Sequence, residues 1–408
     1  MALRKLWVIG YRDLLRNRRR SLFTLLAVAL GLALLIVLNG FITGVFTDAI
    51  DNNIRLQTGH VQLRAPSYSD EKMSLLWADL LDNPEELVQR AQAQPGVVTA
   101  APVLWATGIA ATADDSASLH IYGIDPTSAF YAPFQSGLIA GAYLTPDDRS
   151  GILIGQRLAN NLRLSVDDNV SLTAINADGV PEEGIFTVRG IFNTGIVTYD
   201  ENALFMSLAK AQAFTRTDDH VSAIVLLLTD KEQADSVAAA LATPGIASLT
   251  WRDLNRVMLE SVETGMGFYL IFDAIVMLIV AVIIANTLLM AVFERIREMG
   301  ILAALGMKGR QIMTMFVLEA AILGFGGVIL GALIGLGVVG YLSINGIFIG
   351  EMAGSTPGIA LGTTMYAAYA PQLFANLALW TLIIILLASL YPGWFAARRE
   401  PAEALHTL

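Results

Sequence analysis

The chain has no cysteine, which excludes disulfide cross-links, thiolate metal sites and cysteine nucleophiles. It contains no Gly-x-x-x-x-Gly-Lys-Ser/Thr stretch and no dinucleotide fingerprint, so it cannot hydrolyse a nucleotide through a P-loop of its own. Charge is scarce: 15 % of the 408 residues are charged against 55 % hydrophobic, whereas soluble domains average about a quarter charged. That balance argues against a wholly soluble protein and directs attention to membrane spans. Histidine is equally sparse, and His60, His120, His220 and His406 lack ligand spacing, which favours satisfied or solvated rings over a metal centre. No Ser/His/Asp grouping has a recognisable local context. The acidic pairs Asp114-Asp115, Asp147-Asp148 and Glu182-Glu183 sit in polar, turn-like stretches, where solvated loops are expected rather than carboxylate dyads. No catalytic, cofactor-binding or metal-binding residues are expected, and the chain reads as a non-enzyme.

What is abundant is long apolar sequence. Ser21 to Phe46 carries no charge, and 26 residues at ~1.5 Å each exceed a ~30 Å hydrocarbon core. A cleaved signal peptide would have an apolar stretch of only about 7 to 15 residues, so this run is read as a retained first span, residues 21–46. Three more follow at 265–293, 312–345 and 373–395.

The net charge of −10 is unevenly spread. Between Thr47 and Thr264 lie 28 acidic and 13 basic residues, and the other basic residues all flank the apolar runs. That placement is a topology signal and not a nucleic-acid footprint. Residues 1–20 hold Arg4, Lys5, Arg12, Arg16, Arg18, Arg19 and Arg20 among Leu3, Leu6, Trp7, Ile9, Leu14 and Leu15, the pattern of an amphipathic helix on the cytoplasmic membrane surface. Arg295, Arg297, Lys308 and Arg310 separate the second and third spans, Arg398 and Arg399 follow the fourth, and Gly346 to Gln372 has no basic residue. The positive-inside rule then puts both termini and the 294–311 segment in the cytoplasm, and the acidic 47–264 region and the 346–372 loop outside.

The outer region contains two β-α-β patterns. One joins His60–Leu63 through Pro84–Ala93 to Val97, and the other joins Ala223–Leu228 through Lys231–Ala242 to Ile246. Short alternating segments between them predict a β-rich subdomain over about 105–214, inserted into an α+β domain with halves at about 55–104 and 215–250. Apolar residues recur at helical spacing after the first span (Ile42, Val45, Phe46, Ala49, Ile50, Ile54) and before the second (Leu254, Val257, Met258, Val262). Helices one and two are therefore expected to continue beyond the membrane as stalks.

Asp273 and Glu319 place charge inside predicted spans, at roughly 2.5 to 3.5 kcal/mol each on insertion scales. Either they serve a function, or they reach interfacial water from within about two turns of a span end. Gly327, Gly331 and Gly335 form a small-residue stripe that predicts a third span packed inside the bundle. Gly40 and Gly44 suggest that the first span meets a partner helix.

The cytoplasmic segment Glu294-Arg295-x-Arg297-Glu298-Met299-Gly300-Ile301-Leu302-x-Ala304-Leu305-Gly306, with Gln311-Ile312, Glu319 and the glycine stripe after it, resembles the signature of FtsX-like ABC permeases. The tail Tyr391-Pro392 to Ala396-Ala397-Arg398-Arg399-x-Pro401-Ala402-Glu403-Ala404-Leu405 is similar to that family's C-terminal motif. The order of one span, a large outer domain and three spans agrees. The outer region resembles the MacB-type periplasmic core. Thr58-Gly59-His60-Val61-Gln62-Leu63 with Tyr68 resembles the start of that domain in the LolC/LolE lipoprotein-releasing group. Ala303 departs from the family, which often has arginine there, leaving a basic contact missing or supplied by Arg295 or Arg297.

The resemblance implies a bacterial inner-membrane permease subunit that works as a homo- or heterodimer with two copies of a separate ATPase, which would hold ATP and Mg2+ while this chain binds no cofactor. ATPase coupling would fall to Glu294, Arg295, Arg297, Glu298, Gly300, Ala304, Leu305 and Gly306. A lipid-anchored cargo would occupy a cavity lined by Leu35, Leu38, Ile42, Phe46, Phe268 and Phe272, and a periplasmic chaperone or outer-membrane protein would receive it. The alternatives are a MacB-like mechanotransmission permease for efflux of a peptide or small molecule, and an FtsX-type signalling permease that drives no transport.

Overall fold

The computed structural model describes residues 16, 18–69, 72–350 and 360–398. Most of the expected amphipathic segment 1–20, the tail from Arg399 and His406 lie outside the described residues. The chain divides into an outer unit, Thr47–Ser261 with Phe348–Met365, and a membrane unit, Met1–Phe46, Val262–Ile347 and Tyr366–Leu408.

The outer unit is built on a ten-stranded mixed sheet. Its strands are β1 (Val61–Arg64), β2 (Val97–Ala111), β3 (Ser116–Ile124), β4 (Leu138–Gly141), β5 (Gly151–Gly155), β6 (Asn169–Ile175), β7 (Pro181–Phe192), β8 (Ala203–Ser207), β9 (Ala223–Leu228) and β10 (Ala247–Thr250). They lie in the order β10-β1-β9-β2-β3-β8-β5-β7-β4, with β6 paired to β2 and β7. The two β-α-β patterns interlock. The helix Pro84–Gln92 connects β1 to β2 with β9 between them, and the helix Ala234–Leu241 connects β9 to β10 with β1 between them. This is the split β-α-β arrangement of ferredoxin-like domains.

The expected β-rich insert shares one sheet with the α+β part. β2 runs for 15 residues, about 50 Å at the usual strand rise. It pairs with β9 over Val97–Val103 and with β3 over Val103–Ala111, so one sheet carries both parts. Both faces of that sheet are covered. On β8, Phe205 enters one core while Leu204 and Met206 enter the other, and β3 divides Tyr122 and Ile124 from Leu119 and Ile121 in the same way. A strand covered on two faces reads as a continuous apolar run, as Ala203-Leu204-Phe205-Met206 does. Phe205 stacks on Tyr122 with ring centroids 4.9 Å apart and contacts Phe134 at 4.4 Å and Phe192 at 5.4 Å. Burying each such ring contributes roughly 1.5–3 kcal/mol.

The Thr58-Gly59-His60 turn starts this sheet. The His60 N–H donates to the Leu226 carbonyl, its Nδ1 accepts from the Leu228 N–H at 2.8 Å, and its carbonyl accepts from the Trp251 N–H. Because Nδ1 is an acceptor the ring is neutral, and burial, seconded by the nearby Lys231 ammonium, holds its pKa below 6.5. The segment expected as a plain loop after the third span folds back onto the outer unit: Thr363 N–H donates to Gly195 O, and Asn52 Nδ2 donates to Ala360 O.

The membrane unit contains α1 (Arg18–Asn53), α2 (Arg256–Glu294), α3 (Ile296–Ala304), α4 (Gly309–Asn345) and α5 (Pro371–Ala397). Among the described residues four helices, all but α3, are long and apolar enough to cross a membrane, with mean hydropathies of 2.4 to 2.8. At ~1.5 Å per residue, α1 with 36 residues and α2 with 39 exceed what a bilayer requires, and each runs unbroken past residues assigned to the outer unit. Ala49 and Ile54 are buried on the extension of α1, and Met258 on that of α2. Val257, expected on the same buried stripe, is 73 % exposed.

In lipid, apolar burial alone does not drive helices together, so close approach of small residues matters more. The glycine stripe of α4 packs on α1. A Cβ at Gly331 would lie 2.6 Å from the Ala29 carbonyl oxygen, and one at Gly327 2.6 Å from the Val28 side chain. Gly40 faces Val339 of α4 and Phe374 of α5 as well as Ala368, whereas Gly44 faces the backbone of 366–368, all within this chain. The Ala368 N–H donates to the Gly40 carbonyl at 2.9 Å.

Candidate coupling site

Between α2 and α4 the backbone breaks at Arg295, whose φ of −118° and ψ of 15° leave the helical region before α3 begins. α3 is amphipathic with a period of 3.6. Met299 and Gly300 are buried and Ile296 and Ala303 half-buried, whereas Arg297, Glu298, Ile301, Ala304 and Leu305 are exposed. The helix ends at Gly306, whose φ of +92° favours glycine. Lys308 N–H then donates to Gln311 Oε1 at 2.9 Å as α4 starts.

The outward face of α3 therefore presents two large apolar side chains, Leu305 at 80 % exposure and Ile301 at 49 %, beside the Arg297 guanidinium. Of the residues expected to contact an ATPase, Arg297, Ala304, Leu305 and Gly306 lie on the exposed side, while Gly300 is buried. Arg295 lies apart from them: its side chain is only 7 % exposed and faces Glu319 inside the bundle. Position 303 itself packs partly against the bundle core around Met299 and Ile312, which leaves Arg297 as the outward base.

Arg295 instead belongs to a chain of six alternating charges. Arg16 Nη2 lies 2.9 Å from Glu298 Oε1, and Glu298 Oε2 lies 3.0 Å from Arg295 Nε. Arg295 Nη1 is 3.8 Å from Glu319 Oε2, Glu319 Oε1 is 3.7 Å from Arg20 Nη2, and Arg20 Nη1 is 2.6 Å from Glu294 Oε2. Burial raises the Glu298 pKa, but hydrogen bonds and charge from Arg295 and Arg16 outweigh it and hold the carboxyl below its ordinary 4.5. Glu319 is 1 % exposed, so it does not reach interfacial water. Moving an ion out of water costs several kcal/mol. At an effective dielectric near 20, an opposite charge about 4 Å away returns roughly 4 kcal/mol, so two arginines are what such a position requires. The partners Arg16 and Arg20 were not foreseen. The available signal was a cluster of arginines before the first span together with glutamates at 294, 298 and 319.

Asp273, the other intramembrane charge, accepts a hydrogen bond from Asn39 Nδ2 at 3.0 Å, joining α2 to α1. Of the expected cavity residues, Phe268 and Phe272 are 63 % and 57 % exposed on α2, and Leu38, Ile42 and Phe46 are half-buried. Leu35, expected with them, is 1 % exposed and packs with Leu32, Ile36, Met277 and Val339 inside the bundle. Three of the four histidines have structural surroundings: His60 as above, His120 beside the Met73 sulfur at 3.2 Å, and His220 edge-on to Trp77 at 4.8 Å.

Two family models match the chain, the MacB-like periplasmic core domain over residues 21–243 and the FtsX-like permease C-terminal domain over residues 270–401. The lipoprotein-releasing system transmembrane protein LolC of Neisseria meningitidis is 26 % identical, covering 97 % of this chain and 98 % of its own length. LolC of Haemophilus influenzae is 23 % identical over 80 % of this chain and 79 % of its own. The macrolide export ATP-binding/permease protein MacB of Hyphomonas neptunium is 26 % identical over 66 % of this chain and 40 % of its own. Among solved structures, the periplasmic region of MacB from Actinobacillus actinomycetemcomitans matches 51 % of this chain and 97 % of its own at 13 % identity and a TM-score of 0.35. Four membrane helices, a MacB-like extracytoplasmic α+β unit and an FtsX-like C-terminal region identify the chain as a member of the FtsX/MacB-type ABC transporter permeases, akin to LolC.

Proposed function

We propose that this permease converts ATP hydrolysis by a separate ATPase subunit into movement of its outer unit, and thereby releases lipoproteins from the bacterial inner membrane. The observation that carries this reading is the outward face of α3, where Leu305, Ile301 and Arg297 form an apolar patch with one base on an otherwise lipid-embedded unit. An apolar anchor beside an arginine suits a protein partner. In this reading α3 and both termini are cytoplasmic, two ATPase copies carry the ATP and Mg2+, and two permeases pair as a homo- or heterodimer. The lipid anchor rests against Phe268 and Phe272 before a periplasmic chaperone or outer-membrane protein takes it. Likeness to LolC over nearly the full length of both chains supports lipoprotein as the cargo class. The MacB relatives support a second reading, efflux of a peptide or small molecule by the same mechanical route.

Purification of the complex from its own membranes, followed by mass spectrometry of the bound material, separates the two. Acylated polypeptide is the expected finding, whereas a bound non-acylated peptide or small molecule would transfer the protein to the efflux reading. The paired change Arg297→Glu and Leu305→Glu is expected to reduce ATPase retention at least tenfold while the bundle stays folded. Full retention would remove α3 as the docking helix.

A further inference from the structure

Glu319 stands out because nothing in the docking reading uses it. It is a carboxylate at 1 % exposure, deep in α4, and its two oxygens face guanidinium groups from two other elements. Arg20 lies at the start of α1, the helix that continues through Asn53, and Arg295 lies at the hinge from which α3 departs. Each arginine is also tied to a second glutamate, Glu294 or Glu298, at 2.6 and 3.0 Å. Arg16, one turn before Arg20, reaches Glu298 on α3 itself. The base of α1, the end of α2, α3 and α4 therefore share one charge chain whose centre is Glu319.

The two contacts to Glu319 differ from the outer ones. At 3.7 and 3.8 Å they are ion pairs rather than tight hydrogen bonds, so their attraction falls slowly with small displacements. Because they are buried, salt and water screen them little. A tight surface hydrogen bond holds one geometry, but a buried charge between two cations on different elements attracts both over a range of geometries. If stability alone were at stake, apolar side chains of similar volume would serve as well or better, since replacing a complete buried ion cluster is often neutral or stabilising.

We infer that Glu319 is a positioning residue that locks α3 to the base of α1 through Arg295 and Arg20, so that displacement of the docking helix is delivered to α1. This rests on the reading of α3 as the ATPase-docking helix. The direct Arg16–Glu298 pair also ties α3 to the start of α1, but it is half exposed and open to screening, whereas Glu319 supplies the buried connection across the backbone break at Arg295.

The test uses the full complex with its ATPase in lipid nanodiscs. Hydrogen–deuterium exchange is followed in backbone amides 47–58, on the extension of α1, with and without a non-hydrolysable ATP analogue. Three chains are compared: unaltered, Glu319→Gln, and the apolar replacement Arg20→Met, Arg295→Met, Glu319→Leu. The unaltered complex is expected to show a nucleotide-dependent change in exchange at 47–58. The triple variant is expected to assemble, retain its ATPase and melt within a few degrees of the unaltered chain, yet lose at least four-fifths of that change. Glu319→Gln, which leaves two cations around a neutral amide, is expected to lose it as well and to melt lower.

Two outcomes overturn the proposal. One is a triple variant that responds to nucleotide as the unaltered chain does. The other is a triple variant that does not assemble, which would make the ions necessary for folding. No cargo enters the measurement, so its failure is distinct from failure of the lipoprotein reading. Loss of ATPase from the Arg297→Glu and Leu305→Glu chain tests the docking reading separately.

Discussion

At Phe205 and at Gly331 the same chain solves opposite packing problems. In the outer unit water is the alternative environment, so Phe205 gains by leaving it, and Phe134 and Phe205 lie at the centre of a cluster of seven aromatic rings. In the membrane unit lipid is as apolar as the side chains, and cohesion comes from glycines that let α4 approach α1 and from ions that have nowhere else to go. Volume holds one unit together, and the absence of volume holds the other. Core truncation should therefore damage the outer unit most, and core enlargement the membrane unit.

The largest expected effect is Phe134→Ala. Its ring is fully buried against Phe205, Phe192 and Tyr199, and removing it should cost about 3–5 kcal/mol. Faster proteolysis of the outer unit in intact membranes would register this, and an unchanged cleavage rate would show that the cluster does not stabilise the unit.

Next comes Gly331→Ile, whose side chain must enter a space where backbone atoms of Ala29 already lie 2.6 and 3.0 Å from the position of Cβ. Overpacking of about 1–3 kcal/mol is expected, visible as earlier melting in detergent. Gly337→Ala is its control, because nothing lies within 4 Å of a Cβ at Gly337, and the expected change is within about 0.5 kcal/mol.

A pH titration sharpens the same contrast. The His60 pKa is depressed by burial and Lys231, so the stability tied to its neutral ring is complete above 6.5 and is lost as pH falls through the lower folded value. Glu298, held below 4.5, contributes stability that is complete above 4.5 and is lost only as pH falls through its own depressed value. Acidification from pH 7 should thus loosen the outer unit before the charge chain of the membrane unit. His60→Gln should flatten the first transition, and a transition unmoved by that change would locate the sensitivity elsewhere.

The smallest expected effect concerns the exposed pair Arg163–Asp115, 3.5 Å apart with the arginine 75 % exposed. Such pairs are worth about 0–1 kcal/mol. Arg163→Gln should leave the melting curve in place, and a shift above that range would indicate that Arg163, whose φ is +56°, is under backbone strain which the substitution changes.

Hydropathy and charge made the broad plan legible, because a run of more than twenty apolar residues has few alternatives to a membrane helix and because arginine placement carries topology. The amphipathic face of α3 was also readable, since a 3.6 period ties each residue to a side. Which side faces outward was not readable, because Arg295 and Arg297 are equally polar and only packing shows that one is buried against Glu319 while the other stays exposed. The glycines of the first span looked like a site for another helix, because a small-residue stripe specifies close approach without specifying the visitor. Tertiary structure filled it with Val339 and Phe374 of two helices and with residues 366–368 of the same chain.

Local sequence thus determined the elements, their periods and the two physical regimes, since propensity, periodicity and transfer free energy act over a few turns. It also determined that Glu319 would need help. Only the tertiary structure decided that the help comes from Arg20 and Arg295, that β2 is long enough to unite two expected subdomains into one sheet, and that Leu35 belongs to the bundle core. Each of these rests on residues separated by tens to hundreds of positions, where no local period links one partner to the other.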